Sequence, residues 1–231
     1  MASKQFKEKP VERFPKLREK YDLIEKLQGA HLGLVHDMLM IENGRMYDLD
    51  QFMLTVLNRS MNLVDGIVTL TEHWNSVSAI ALLRLQVDNL LRAYYIARKK
   101  DERHEILKQW REGKRWDKIK NPDGERLSDK LMLELAEKQY DWVREMYERT
   151  CNHVHLSFSS HFGVLMTGYD PQEDVAKMSL GIGSEHWSEE LIDKFLYDVG
   201  NVTDAIMKIA LGWNQNKEDI MTKKKEKEGT E

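Results

Sequence analysis

Four prolines, thirteen glycines and a single cysteine are all that the 231 residues contain of the amino acids that break or cross-link a chain. Such scarcity excludes collagen-like, disordered and many-turned β compositions. Together with long stretches rich in Leu, Glu, Lys and Arg it favours helices. The lone cysteine, Cys151, has no partner for an internal disulfide, and the opening MASKQFKEKPVERFPK lacks the apolar block of a secretory signal, so a reducing cytoplasm is the expected location. No run approaches the roughly 18 apolar residues of a membrane span. The longest candidates are broken by Arg84, Asp88 and Asn89, and no membrane partner is expected. An excess of positive charge is also missing: the net charge is -4, which argues against a wholly basic surface while leaving room for a local anion-binding patch.

What is present is apolar periodicity. After Pro15, apolar residues recur at Leu17, Tyr21, Ile24, Leu27, Leu34, Met38 and Ile41, which predicts a helix over about 16–42 with His31 occupying one turn of its seam. Gly29 and Gly33, four apart, suggest a close helix contact or a bend there, and Asn43-Gly44 ends the element. A second helix is expected from a cap near Asp50 to about Asn75, with Phe52, Val56, Leu63, Ile67, Leu70 and Trp74 in its seam and Ser60 filling the gap. The third, over about 77–99, is apolar on two sides. Ile80, Leu83, Val87, Leu90, Leu91 and Tyr94 form one face and Leu82, Leu85 and Ile96 nearly the opposite one, so it is central. Its Arg84, Asp88 and Arg92 form a polar stripe whose burial is costly unless the charges pair or meet a ligand.

Residues 98–120 carry ten Lys or Arg against five Asp or Glu, with Trp110 and Trp116 interleaved. Arg98, Arg103, Arg111, Lys114 and Arg115 are the candidates here for gripping an RNA backbone while a Trp stacks a base. The plainer alternative is a solvated helix whose tryptophans anchor in the core. After the Asn121-Pro122-Asp123-Gly124 turn, Ser128 caps a helix expected to run to about 152, its seam passing from Leu131, Leu135, Trp142 and Met146 to the polar Arg149 and His153. The helical period then vanishes over about 156–187, where a loop-rich insert or two short strands flanking Tyr169-Asp170-Pro171-Gln172 is expected. Ser188 caps a last helix with Ile192, Phe195, Val199, Val202, Ile206, Ile209 and Trp213 spaced alternately three and four. The expected architecture is all-α: a bundle of about five to six helices in one domain over 1–216, followed by a disordered charged tail over 217–231.

The chemistry concentrates in Tyr147-Glu148-Arg149-Thr150-Cys151-Asn152-His153-Val154-His155, where a permanent cation and two imidazoles close a core helix. A guanidinium can hold a phosphate bidentately and stabilise charge developing on it, and histidine can move protons near neutral pH. No metal or other cofactor is required by such a set. His153, His155 and His161 lack metal-site spacing, since neighbours two apart on a helix point about 200° apart. Gly181-Ile182-Gly183-Ser184 precedes a helix, but no strong strand leads in and no Lys follows, so a turn before a capped helix is the preferred reading over a phosphate seat.

The Arg149-to-His155 spacing resembles the signature of the HEPN superfamily (higher eukaryote and prokaryote nucleotide-binding domains), Arg followed by four to six residues and His. Arg98 and His104 repeat the spacing, but within a charge run rather than at the end of an apolar seam. NRSMNLVDGI and ALLRLQVDNLLRAYY look like the paired helices of a bacterial HEPN-like family, so the likeness covers roughly residues 50–165. It implies an all-helical, homodimeric, metal-independent endoribonuclease of toxin or antiphage type. Arg149 would bind the scissile phosphate and His155 act as general acid or base; Asp88 or Arg84 would orient Arg149, with Asn152 and His153 in support. Thr150 stands where active members often carry Asn, Asp or His. That departure, with a net of -6 over residues 170–200, motivates the alternative of a catalytically inactive binding module, or of a sensor of nucleotide phosphate. The plainest alternative is that Arg149 pairs with a carboxylate such as Asp88 while His155 caps its helix. Both readings set Arg149 beside Asp88.

Overall fold

The structure, a computed structural model, describes residues 8–155, 169–170, 175–176 and 187–228. It is all-α, with helices α1 (Pro10–Arg13), α2 (Arg18–Met40), α3 (Asp48–Glu72), α4 (Ser76–Arg98), α5 (Arg103–Arg111), α6 (Asp129–Ala136), α7 (Val143–Val154) and α8 (Glu189–Glu228). Strands β1 (Tyr169–Asp170) and β2 (Val175–Ala176) form one antiparallel ladder with Tyr169 opposite Ala176. A pair of short strands is therefore present, although Tyr169-Asp170 form the first strand instead of lying between the two; residues 171–174, the rest of the expected insert, His161 and the Gly181–Ser184 stretch lie outside the described residues. Eight helices stand among the described residues where five to six were expected. The additions are the four-residue α1, the short α5 within the basic stretch, and a break in the expected 129–152 helix at residues 137–142, where Ala136 O accepts from both Gln139 N and Tyr140 N.

Long helices α2, α3, α4 and α8 make the bundle, and their cross-links fix its directions. Asn89 Nδ2 donates to Val56 O at 2.9 Å and Gln86 Nε2 to Ser60 Oγ at 2.6 Å, so α3 and α4 run antiparallel. Lys20 pairs with Asp193 at 3.4 Å, Asn214 Nδ2 donates to Leu34 O at 3.0 Å and Lys217 Nζ to Met38 O at 3.0 Å, so α2 and α8 run parallel. A parallel pair needs a long crossover, and residues 99–188 supply it. Central α4 touches α3, α6, α7 and α8, as its two apolar sides demand.

The polar interruptions of the seams meet one another. His31 Nδ1 donates to Leu27 O at 2.7 Å, which leaves Nε2 as the acceptor of the neutral ring, 2.9 Å from Ser60 Oγ. Ser60 Oγ in turn accepts from Gln86 Nε2, so three seam positions on α2, α3 and α4 satisfy each other inside an apolar core. Burial depresses the His31 pKa and keeps the ring neutral.

Other sequence expectations change in detail. Asp50 is not the cap of α3. It lies inside the first turn, fully buried, and its carboxylate accepts from Tyr47 N at 2.7 Å. Gly29 and Gly33 make no close contact with a described helix: a Cβ at either would meet nothing within 4 Å. The expected domain boundary at 216 falls inside α8, which continues to Glu228, and Lys217, the first residue of the supposed tail, is buried. Gly44, by contrast, ends the second element as its type suggests, at φ 84° with its N–H bonded to Leu39 O.

Candidate functional site

Helix α7 is built to present two polar side chains on one edge. Val143, Met146 and Thr150 are buried and hold it against the bundle, while Arg149 and His153, four apart, share the face that looks toward α8. On α8, Phe195 and Ile192 point inward, and Lys194 and Asp198, again four apart, face α7. Between them lies a half-open concavity of about 180 Å³, floored by Ile80 and Leu83 of α4 and walled by Trp187, Leu191 and Phe195. The Trp187 and Phe195 rings meet edge to face with centroids 5.8 Å apart.

Its electrostatics are uneven. Arg149 Nη2 donates to Asp198 Oδ2, in an ion pair whose carboxylate is the more buried partner, 11% exposed against 36% for the guanidinium. Burial pushes the Asp198 carboxyl above its usual range even though Arg149 pulls the other way. His153 is held below the usual imidazole range, first by burial and then by the Arg149 charge, and is neutral at pH 7. Lys194 is exposed and forms no ion pair among the described residues. Two cations and a neutral imidazole thus share an apolar concavity with one carboxylate.

The remaining sequence candidates are distributed differently from expectation. Arg149 does not neighbour Asp88. Successive positions on α7 rotate by about 100°, so Cys151 rather than Arg149 looks toward α4. There Arg84 Nε donates to Cys151 Sγ at 3.0 Å, and the guanidinium lies 3.9 Å over the Tyr147 ring. Arg84 binds Asp88 and reaches Asp129 at 3.4 Å, so neither Arg84 nor Asp88 orients Arg149; Asp198 does. Thr150 turns its hydroxyl back on its own helix, donating toward Met146 O and Tyr147 O at 2.8 and 3.0 Å. Asn152 and His155 are exposed, and His155 is the residue on which α7 ends, its N–H on Cys151 O at 3.0 Å. His153, not His155, lines the concavity with Arg149.

The candidate cations of the basic stretch each meet a separate partner. Arg111 pairs with Asp48 at 2.7 Å, Arg115 with Asp117 at 3.1 Å, Lys114 Nζ donates to Gln109 Oε1 at 3.2 Å, and the Arg103 guanidinium lies 5.3 Å over Trp213. Arg98 is exposed, 6.0 Å from the Tyr94 ring centre. Trp110 and Trp116 pack on Phe52, with ring centroids 5.4 and 5.8 Å from it, as the anchored-tryptophan alternative has it. Among the described residues no group of three or more His, Cys, Asp or Glu is placed to hold a metal ion.

Sequence reasoning missed Lys194 and Asp198. Their signal is visible afterwards as an i,i+4 Lys–Asp pair set into the most regular apolar seam of the chain, a pattern that reads as an ordinary solvated edge. No family model, no curated protein and no solved structure matches the chain.

Proposed function

We propose that the protein is a metal-independent ribonuclease of HEPN type whose site is the concavity between α7 and α8. One observation carries the reading: Arg149, Lys194 and a neutral His153 line one concavity together with an apolar aromatic wall. A phosphodiester would exchange with Asp198 for the Arg149 guanidinium, an exchange eased because burial already disfavours the Asp198 charge. Lys194 adds a second cation, and the Trp187–Phe195 wall takes a base. His153 then accepts the proton of a ribose 2′-hydroxyl as its oxygen attacks phosphorus. The P–O5′ bond breaks, the departing oxygen takes its proton from His155 on the α7 of a facing second copy, since this copy's own His155 lies off the concavity, and a 2′,3′-cyclic phosphate remains. Two copies of α7 facing each other across a dimer would complete the arrangement the HEPN likeness implies.

The test uses one oligonucleotide in two forms, all-ribose and all-2′-deoxy, in EDTA. The mechanism requires the first to be cut to cyclic-phosphate ends and the second to remain intact. Cleavage of both would contradict attack by the 2′-oxygen.

A second reading, the inactive binding module or nucleotide-phosphate sensor, is favoured by the Arg149–Asp198 bond and the inward-turned Thr150 hydroxyl, which leave less free chemistry than an open site. Binding of a nucleotide without turnover, with a melting temperature that rises with ligand, is its signature.

A further inference from the structure

A second group of charges lies along α4, away from the concavity. The Asn89–Val56 and Gln86–Ser60 hydrogen bonds set Arg59 of α3 level with Asp88 of α4. Arg92 lies one turn further on, roughly 13 Å along the helix axis from the Leu83 floor of the concavity. Its ion pairs with Asp88 and Asp129, at 3.7 and 3.6 Å, are too long for hydrogen bonds, although its side chain is only 18% exposed. The short bond to Asp88 belongs to Arg84. Arg59 forms no ion pair among the described residues, and three guanidinium groups therefore share two carboxylates.

Such an arrangement is incomplete by itself. A largely buried guanidinium has five N–H donors, and Arg92 places none of them in a hydrogen bond among the described residues. Arg59 projects from α3 as an exposed side chain of the same sign, and partial desolvation together with repulsion by Arg92 lowers its pKa. Trp116 closes one side, its ring 5.9 Å from the Arg92 guanidinium carbon. A carboxylate does not complete the group, because two are already present and leave these donors unused. A tetrahedral oxyanion, with several acceptor oxygens and up to two negative charges, matches guanidinium donors left without hydrogen bonds on neighbouring helices.

We propose that Arg59 and Arg92 form an oxyanion site that takes a phosphate group, carried either by a small nucleotide or by an RNA strand. The site stands on its own residues and does not depend on cleavage at Arg149.

The experiment compares wild type with Arg59→Ala, Arg92→Gln and Arg149→Ala by melting temperature in inorganic phosphate against chloride at equal ionic strength. Phosphate should raise the melting temperature of wild type and Arg149→Ala, and Arg59→Ala, an exposed change that leaves the core intact, should lose most of the rise. A rise kept by Arg59→Ala and lost by Arg149→Ala would overturn this site and leave the α7–α8 concavity as the phosphate site. No rise in wild type also overturns it. Fluorescence anisotropy with a 5′-phosphorylated ten-nucleotide RNA and with labelled AMP separates the two sources, since the true one should weaken about tenfold in Arg59→Ala. Neither weakening would contradict the proposal. Arg92→Gln, if folded, should match Arg59→Ala.

Discussion

Lys217 places a full positive charge in the core, 2% exposed, and its removal should be among the most damaging single changes in the chain. Its ammonium has three donors and meets three acceptors: Met38 O at 3.0 Å, Arg45 O at 3.2 Å and Asp50 Oδ2 at 3.0 Å. Asp50 is fully buried and, among the described residues, keeps only two neutral donors besides Lys217, Tyr47 N and Trp213 Nε1, each at 2.7 Å. Lys217→Met preserves the apolar stem but leaves that carboxylate uncompensated, and breaking a buried pair in this way costs about 3–5 kcal/mol. At about 2–4 °C per kcal/mol for a domain of this size, the variant should melt roughly 6–20 °C below wild type. Circular dichroism melts and urea titrations measure it. Adding Asp50→Asn should restore more than half of the loss, because the stranded charge is then gone. A loss below about 1 kcal/mol for Lys217→Met, or a double variant no better than the single, would refute the reasoning that the pair docks α8 onto the start of α3.

Three further outcomes are expected. His31 and His153 are both held below the ordinary imidazole value of 6.5 by burial, so the unfolded chain binds protons that the folded one does not. Their contribution is whole above about pH 6.5 and is lost as pH falls through the depressed folded values; urea titrations from pH 7.5 to 5.5 should show falling stability, less steep in His31→Gln, and a rise in stability would contradict it. Gly29→Ala and Gly33→Ala fill open space on a helix surface and should each stabilise by about 0.5–1 kcal/mol, whereas a loss would show that another surface covers this face. Leu83→Ala, at 1% exposure beneath the concavity, should cost about 2–5 kcal/mol, and a neutral result would mean the floor is not packed.

The long helices were legible because their seams repeat over many turns, and even the polar intruders His31 and Ser60 carried information, since they turned out to be each other's partners. Boundaries were less legible. Asp50 looks like a cap by residue type, but its buried carboxylate is committed to Lys217 and Trp213, both more than 160 positions away, which no local pattern reveals. The charged run after Lys217 reads as a solvated tail because helicity there is carried by few apolar residues. At the site, the Arg and His content of α7 was visible, but which carboxylate faces Arg149 depends on the rotation of α7 between α4 and α8. Arg84 took Asp88, and Asp198 was left for Arg149.

The most direct measurement is cleavage of a labelled mixed-sequence RNA in EDTA by purified wild type beside Arg149→Ala, His153→Ala and His155→Ala, each checked for helicity by circular dichroism. Cutting by wild type that the folded Arg149→Ala and His155→Ala variants lose, with His153→Ala impaired as well, is the predicted result. Equal cutting by wild type and Arg149→Ala, or none by wild type, would contradict a ribonuclease built on Arg149.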